Sequence, residues 1–217
     1  MIERHLHAVR IENPGLEEPA ATRERLRELF PRGATRRMTQ LGLLLGSVLD
    51  GIKLSADDTV VYASAYAESQ ALEDYLVSFP SASPTLFQTS IHPSAVQQVL
   101  IARQQPLPQF FPLTGHRQLA ASAIQAALLA ATPRVILCGG EERGTWLVDC
   151  GVASQESFAF AVVLSTDPSG ALGTLRLTAN DDPDGALTLP EFFTLLRERR
   201  PLGQTAAPGL TLTLAWH

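Results

Sequence analysis

Residues 59–65 read Thr-Val-Val-Tyr-Ala-Ser-Ala, a continuous apolar run with no alternation. A strand of that kind has no polar side to turn toward water. It must be covered on both faces, which requires a sheet with helices above and below it. The neighbouring segments supply such helices. Residues 36–54 carry Met38, Leu41, Leu44, Leu45, Val48 and Leu49 at three- and four-residue steps, predicting one long helix that stops at Asp50-Gly51. Residues 68–79 and 95–105 read as two more helices, with 80–94 a polar break between them.

Residues 5–12 alternate and predict an opening strand. A short amphipathic helix follows over 22–30, with Thr22 as its cap and Glu24 and Glu28 behind it. The segment 111–142 reads as a strand, a sharp turn, a helix and a second strand ending in Gly-Gly-Glu. Strands at 157–165 and 172–179, a helix at 190–200 and a last strand at 209–217 complete the chain. The whole predicts an α/β fold with a mixed sheet and helices on both faces, in a single domain over 1–217.

Charge and composition narrow the function. A formal net charge of -5 and a pI near 5.5, with no pooled basic surface, argue against nucleic acid. The N-terminus is charged and alternating, unlike a secretory signal, and no apolar stretch is long enough to span a membrane. The chain reads as cytoplasmic. Its two cysteines, Cys138 and Cys150, make no disulfide framework, and Cys138 ends the apolar run 135–137 as a buried strand thiol. No cofactor and no metal spacing is indicated.

Three groups of residues have chemistry to weigh. Asn180, Asp182, Asp184, Gly185 and Glu191 fit the positions of a calcium loop, but a strand pattern precedes them where an entering helix belongs, so a structural turn is expected. Glu141 and Glu142 end a strand where α/β sheets place functional loops. Adjacent carboxylates on extended backbone point apart, so structural hydrogen bonding of one of them is expected rather than paired acid–base work. Ser94 or His116 would have to serve a hydrolase or acyl transferase, yet there is no G-x-S-x-G. The turn Leu113-Thr114-Gly115-His116 has the form of a nucleophile elbow and contains neither Cys nor Ser.

The segments "RRMTQLGLLLGSVL", "VVYASAYAESQALEDYL", "SPTLFQTSIHPSAVQQVLI", the turn at 113–116 and "RVILCGGEE" occur in an order that resembles the N-terminal half of the β-ketoacyl synthases, of thiolase fold. The likeness is strongest over 32–165. It is closest to the truncated, chain-length-factor type found in aryl polyene biosynthesis. In that family the elbow holds the acyl-accepting cysteine, and counting back from the Gly-Gly-Glu strand places that position on Thr114, Gly115, His116 or Arg117. The family's two catalytic histidines come from a C-terminal half that this chain lacks, and no histidine lies between His116 and His217.

The resemblance thus implies a non-catalytic subunit with a degenerate elbow at Thr114, Gly115 and His116. It would pair with a catalytic β-ketoacyl synthase, or with itself, and meet acyl carrier protein only indirectly. The strand 109–114 would lie at the interface. Phe110, Phe111, Gln97, Gln98 and Leu100 are the candidates for the acyl tunnel or that interface. The alternative is a stand-alone acyl-thioester transferase or hydrolase using His116 or Ser94. As half of a fold, the chain is expected to leave its sheet unfinished at the strand 109–114.

Overall fold

The computed structural model describes residues 1–105 and 109–217. Its strands are β1 (Ile2–Gly15), β2 (Asp58–Ala63), β3 (Gln109–Leu113), β4 (Arg134–Glu141), β5 (Ser157–Ser165), β6 (Gly173–Ala179), β7 (Leu202–Ala207) and β8 (Leu210–Trp216). Every residue of β2 is buried. It runs parallel to β3 on one side and to β4 on the other, and all further pairings are antiparallel. One sheet results, in the order β3-β2-β4-β5-β1-β6-β8-β7.

The helices are α1 (Pro19–Leu26), α2 (Gln40–Val48), α3 (Ser69–Val77), α4 (Pro84–Ser90), α5 (Ser94–Arg103), α6 (Leu119–Leu129), α7 (Trp146–Asp149) and α8 (Leu189–Glu198). Successive strand side chains alternate between faces, so the sheet has two cores. Val61, Ala63, Val135 and Leu137 pack with α6 and α8 on one face. Val60, Tyr62, Ile136 and Cys138 pack with α2 and α5 on the other. The doubly covered mixed sheet expected from residues 59–65 is therefore present. Each buried Val or Leu contributes about 1.5–3 kcal/mol, which is why the strands tolerate so little polarity.

Three local expectations are corrected. Residues 36–54 do not form one helix: 34–37 make a 3-10 turn, and α2 starts only after Thr39. Thr39 stays extended because its side chain accepts from Gly42 N and its own N–H donates to Gln98 Oε1, so it ends one element and caps the next. Thr22 is not a cap. Glu18 holds that position with Pro19 behind it, while the buried Thr22 hydroxyl donates to Glu17 and accepts from Gln40. The polar break at 80–94 contains α4, capped by Ser83 with Pro84 in its first turn. It buries no residue fully and so carries no apolar stripe to read.

The sheet is open at β3, as expected of the strand 109–114, and is extended on its other side. Beyond β5 it continues through the antiparallel strands β1, β6, β8 and β7, and α8 packs beside α6 on the same face. The strand β7 and the one-turn α7 had no sequence signal. A buried cation holds this extension to α6: Arg4 of β1 donates to the carbonyls of Leu128, Ala130 and Pro133, at and just past the C-terminus of α6. A cation there satisfies carbonyls the helix leaves open. No helix among the described residues is long and apolar enough to cross a membrane.

Candidate functional site

The C-terminal ends of the parallel strands β2, β3 and β4 bring three loops together: 64–68, 114–118 and the Gly139-Gly140-Glu141-Glu142 strand end. The glycines are there for clearance. A β-carbon on Gly139 would collide with the Ala63 carbonyl, and one on Gly140 with the Phe158 carbonyl.

Both carboxylates after them are structural, not one. Glu141 accepts from the Ser64 hydroxyl (3.0 Å), from Ala65 N and from Tyr66 N (3.0 Å), and so fixes the loop leaving β2. Glu142 accepts from Leu41 N (3.1 Å) at the start of α2 and from Gln70 N (2.9 Å) and Ala71 N (3.2 Å) at the start of α3. Two more buried glutamates do similar work. Glu73 accepts from Thr145 N, the Thr145 hydroxyl and Leu147 N at α7, and Glu68 accepts from Ala95 N at α5. Helix N-termini leave N–H groups open and attract negative charge. Burial nonetheless dominates, pushing Glu68, Glu141 and Glu142 each up to about 7 against the opposing pull of their backbone hydrogen bonds. Sequence reading missed Glu68 and Glu73 because a glutamate on a polar helix turn gives no sign that it is buried.

At the elbow, Thr114 and His116 are exposed, and the His116 ring packs against Tyr66 with centroids 5.3 Å apart. Cys138 lies inside β4, fully buried, with its thiol pushed up to about 12 by desolvation. Ser94 is occupied, its hydroxyl donating to the Thr89 carbonyl at 2.7 Å. His92 instead stacks on Tyr62. The serine–histidine hydrogen bond that an acyl transferase or hydrolase would use is not formed by Ser94 or by His116 among the described residues.

The five tunnel or interface candidates separate. Gln97 and Gln98 line a cleft of about 470 Å³ between α4, α5 and the 34–37 turn, with Met38, Thr89 and Ile101. Leu100 faces inward into the α2–α5 core. Phe110 packs partly against that same core, while Phe111, on the other face of β3, is 47% exposed. β3 is a sheet edge. Because Leu113 O accepts from Ser64 N, alternation turns Phe110 and Pro112 outward, so the one missing N–H of the strand lies on its open side.

The acidic loop is occupied by its own turn. Asp182 accepts from Asp184 N (3.0 Å) and the Thr205 hydroxyl (2.8 Å), Asn180 donates to Thr205 and Thr211, and Glu191 closes a capping box with Thr188. The segment before it is the strand β6, as the alternation of 172–179 predicts.

No protein-family model matches the chain, and no curated protein matches it in sequence. Solved structures do match it. The chain is similar to a chain in the complex of the ketosynthase ApeO with its chain length factor ApeC from Xenorhabdus doucetiae, with a TM-score of 0.68 and 16% identity over 99% of this chain and 100% of that one. It is similar to the ishigamide ketosynthase/chain length factor, with a TM-score of 0.60 and 13% identity over 84% of this chain and 69% of the other. An oxazolomycin ketosynthase domain from Streptomyces albus matches at a TM-score of 0.51 and 12% identity, over 85% of this chain and 47% of that one. The chain has the thiolase-like α/β fold of these ketosynthase and chain length factor structures.

Proposed function

We propose that this chain is a non-catalytic, chain-length-factor type subunit that pairs with a catalytic β-ketoacyl synthase in fatty-acid or polyketide-type chain elongation, of the aryl polyene kind. The observation that carries the reading is the elbow. The fold presents Thr114-Gly115-His116 at the turn between β3 and α6, and the chain's thiol nearest in sequence, Cys138, is sealed in the sheet. Acyl transfer needs a thiolate to receive the acyl group and donors to stabilise the attack, so the synthase supplies the chemistry and this chain supplies a wall. The end-to-end likeness to a chain of a ketosynthase–chain length factor complex supports the same reading.

The open edge of β3 is the contact surface, with Phe111 as its apolar anchor. Gln97 and Gln98, on the cleft beside α5, are the candidates for contact with the growing chain. The partner synthase meets the acyl carrier protein, and the pair works in the cytoplasm. Co-expression with a ketosynthase of the same organism, followed by intact-complex mass measurement, tests the proposal. A one-to-one complex that forms product, with neither subunit active alone, is the expected result. Product formation or a covalent acyl adduct on this chain by itself would overturn it.

A further inference from the structure

Among the described residues, the buried side-chain nitrogens and oxygens without a protein hydrogen-bond partner are Tyr62 Oη, Glu68 Oε2 and both ring nitrogens of His92. Their positions are not scattered. The Tyr62 and His92 rings stack with centroids 5.0 Å apart and planes at 18°. Glu68 binds Ala95 N through its other oxygen, three residues along the chain from His92. Ser64 lies beside Tyr62, and Ser94 beside Glu68. Tyr62 and Glu68 are 0% and 1% exposed, so solvent at the surface does not reach them.

A buried polar group left unpaired costs more than an ordinary hydrogen bond contributes, and native proteins rarely keep several in one place. The donor and acceptor inventory here is also mixed. The phenol donates and accepts, the free carboxyl oxygen accepts, and a neutral imidazole offers one of each. That set suits water, which needs two to four polar partners. It does not suit a metal, since among the described residues no three His, Cys, Asp or Glu side chains converge.

We propose that Tyr62, Glu68 and His92 enclose one internal site for ordered water, which ties the turn between α4 and α5 to β2 and to the start of α3. Ser94, beside Glu68, also lines the cleft that holds Gln97 and Gln98.

A crystal structure fine enough to show buried water, with melting of Tyr62→Phe and His92→Phe, tests this. Both variants keep an aromatic ring in the stack; Tyr62→Phe deletes only the hydroxyl, whereas His92→Phe removes both ring nitrogens and enlarges the ring. Density is expected within hydrogen-bond reach of at least two of the named atoms. Each variant is expected to melt lower, by roughly 2–4 °C on the scale of a protein this size. No water density within reach of these atoms, or Tyr62→Phe melting at or above the wild type, would overturn the proposal, because an orphaned polar atom is neutral or stabilising to remove.

Discussion

At the scale of the residue, Glu142 illustrates how one side chain fixes the site's framework. Its carboxylate gathers three backbone N–H groups from the first turns of α2 and α3. Together with Glu68 and Glu141 it is pushed up to about 7, from 4.5, by burial. A carboxyl whose value rises on folding favours the protonated native state. Its contribution to stability is complete below about pH 4.5 and is lost as the pH rises through about 7. Urea unfolding at about pH 5.5 and about pH 8.5 is expected to give the lower midpoint at the higher pH. Glu142→Gln should flatten that dependence, and a midpoint that rises with pH would contradict this account. His116 is a second residue-scale test. If the elbow carries no chemistry, His116→Ala leaves product formation by the complex within a few-fold. A loss of roughly a thousandfold or more, the scale of removing a base or nucleophile, would return His116 to a catalytic role.

Elements differ in how openly the sequence announces them. α8 was readable as the helix 190–200, and the structure adds a capping box in which Thr188 and Glu191 serve each other's open groups and an apolar stripe of Phe192, Phe193, Leu195 and Leu196. Thr188→Ala is expected to cost about 1 kcal/mol in urea unfolding. α4 was not readable, since nothing on it is fully buried, and neither was β7, a Gly- and Ala-containing edge strand that pairs only with β8. The two cysteines lie in opposite environments. Cys138 is fully buried in the strand, whereas Cys150 is exposed after α7. A thiol reagent should therefore modify one cysteine per native chain rapidly and the second only in denaturant. Mapping the fast site to Cys138 would show that the central sheet opens in the native state.

On the scale of the whole molecule, the open side of β3 decides assembly. Pro112 removes an N–H from that side, a feature that discourages indiscriminate strand addition. The half-exposed Phe111 still offers apolar area there. Phe111→Asp is expected to release monomer or insoluble protein, since an unpaired charge in a desolvated contact costs several kcal/mol. The exposed Asp74→Lys should leave assembly intact, and a wild type that sediments as a monomer both alone and with a synthase would refute the arrangement. The sequence by itself determined the doubly covered sheet, because an apolar run such as 59–65 has only one way to avoid water. It also determined the empty elbow, because residue identity at 114–116 needs no coordinates. Only the tertiary structure decided that four antiparallel strands extend the sheet beyond β5, that Glu68, Glu73 and Glu142 are buried against helix N-termini while Glu141 holds the loop after β2, and that Leu100 is core while Gln97 lines a cleft. Those outcomes depend on which distant backbone N–H groups and side chains are brought within a few ångströms, and local periodicity carries no record of such partners.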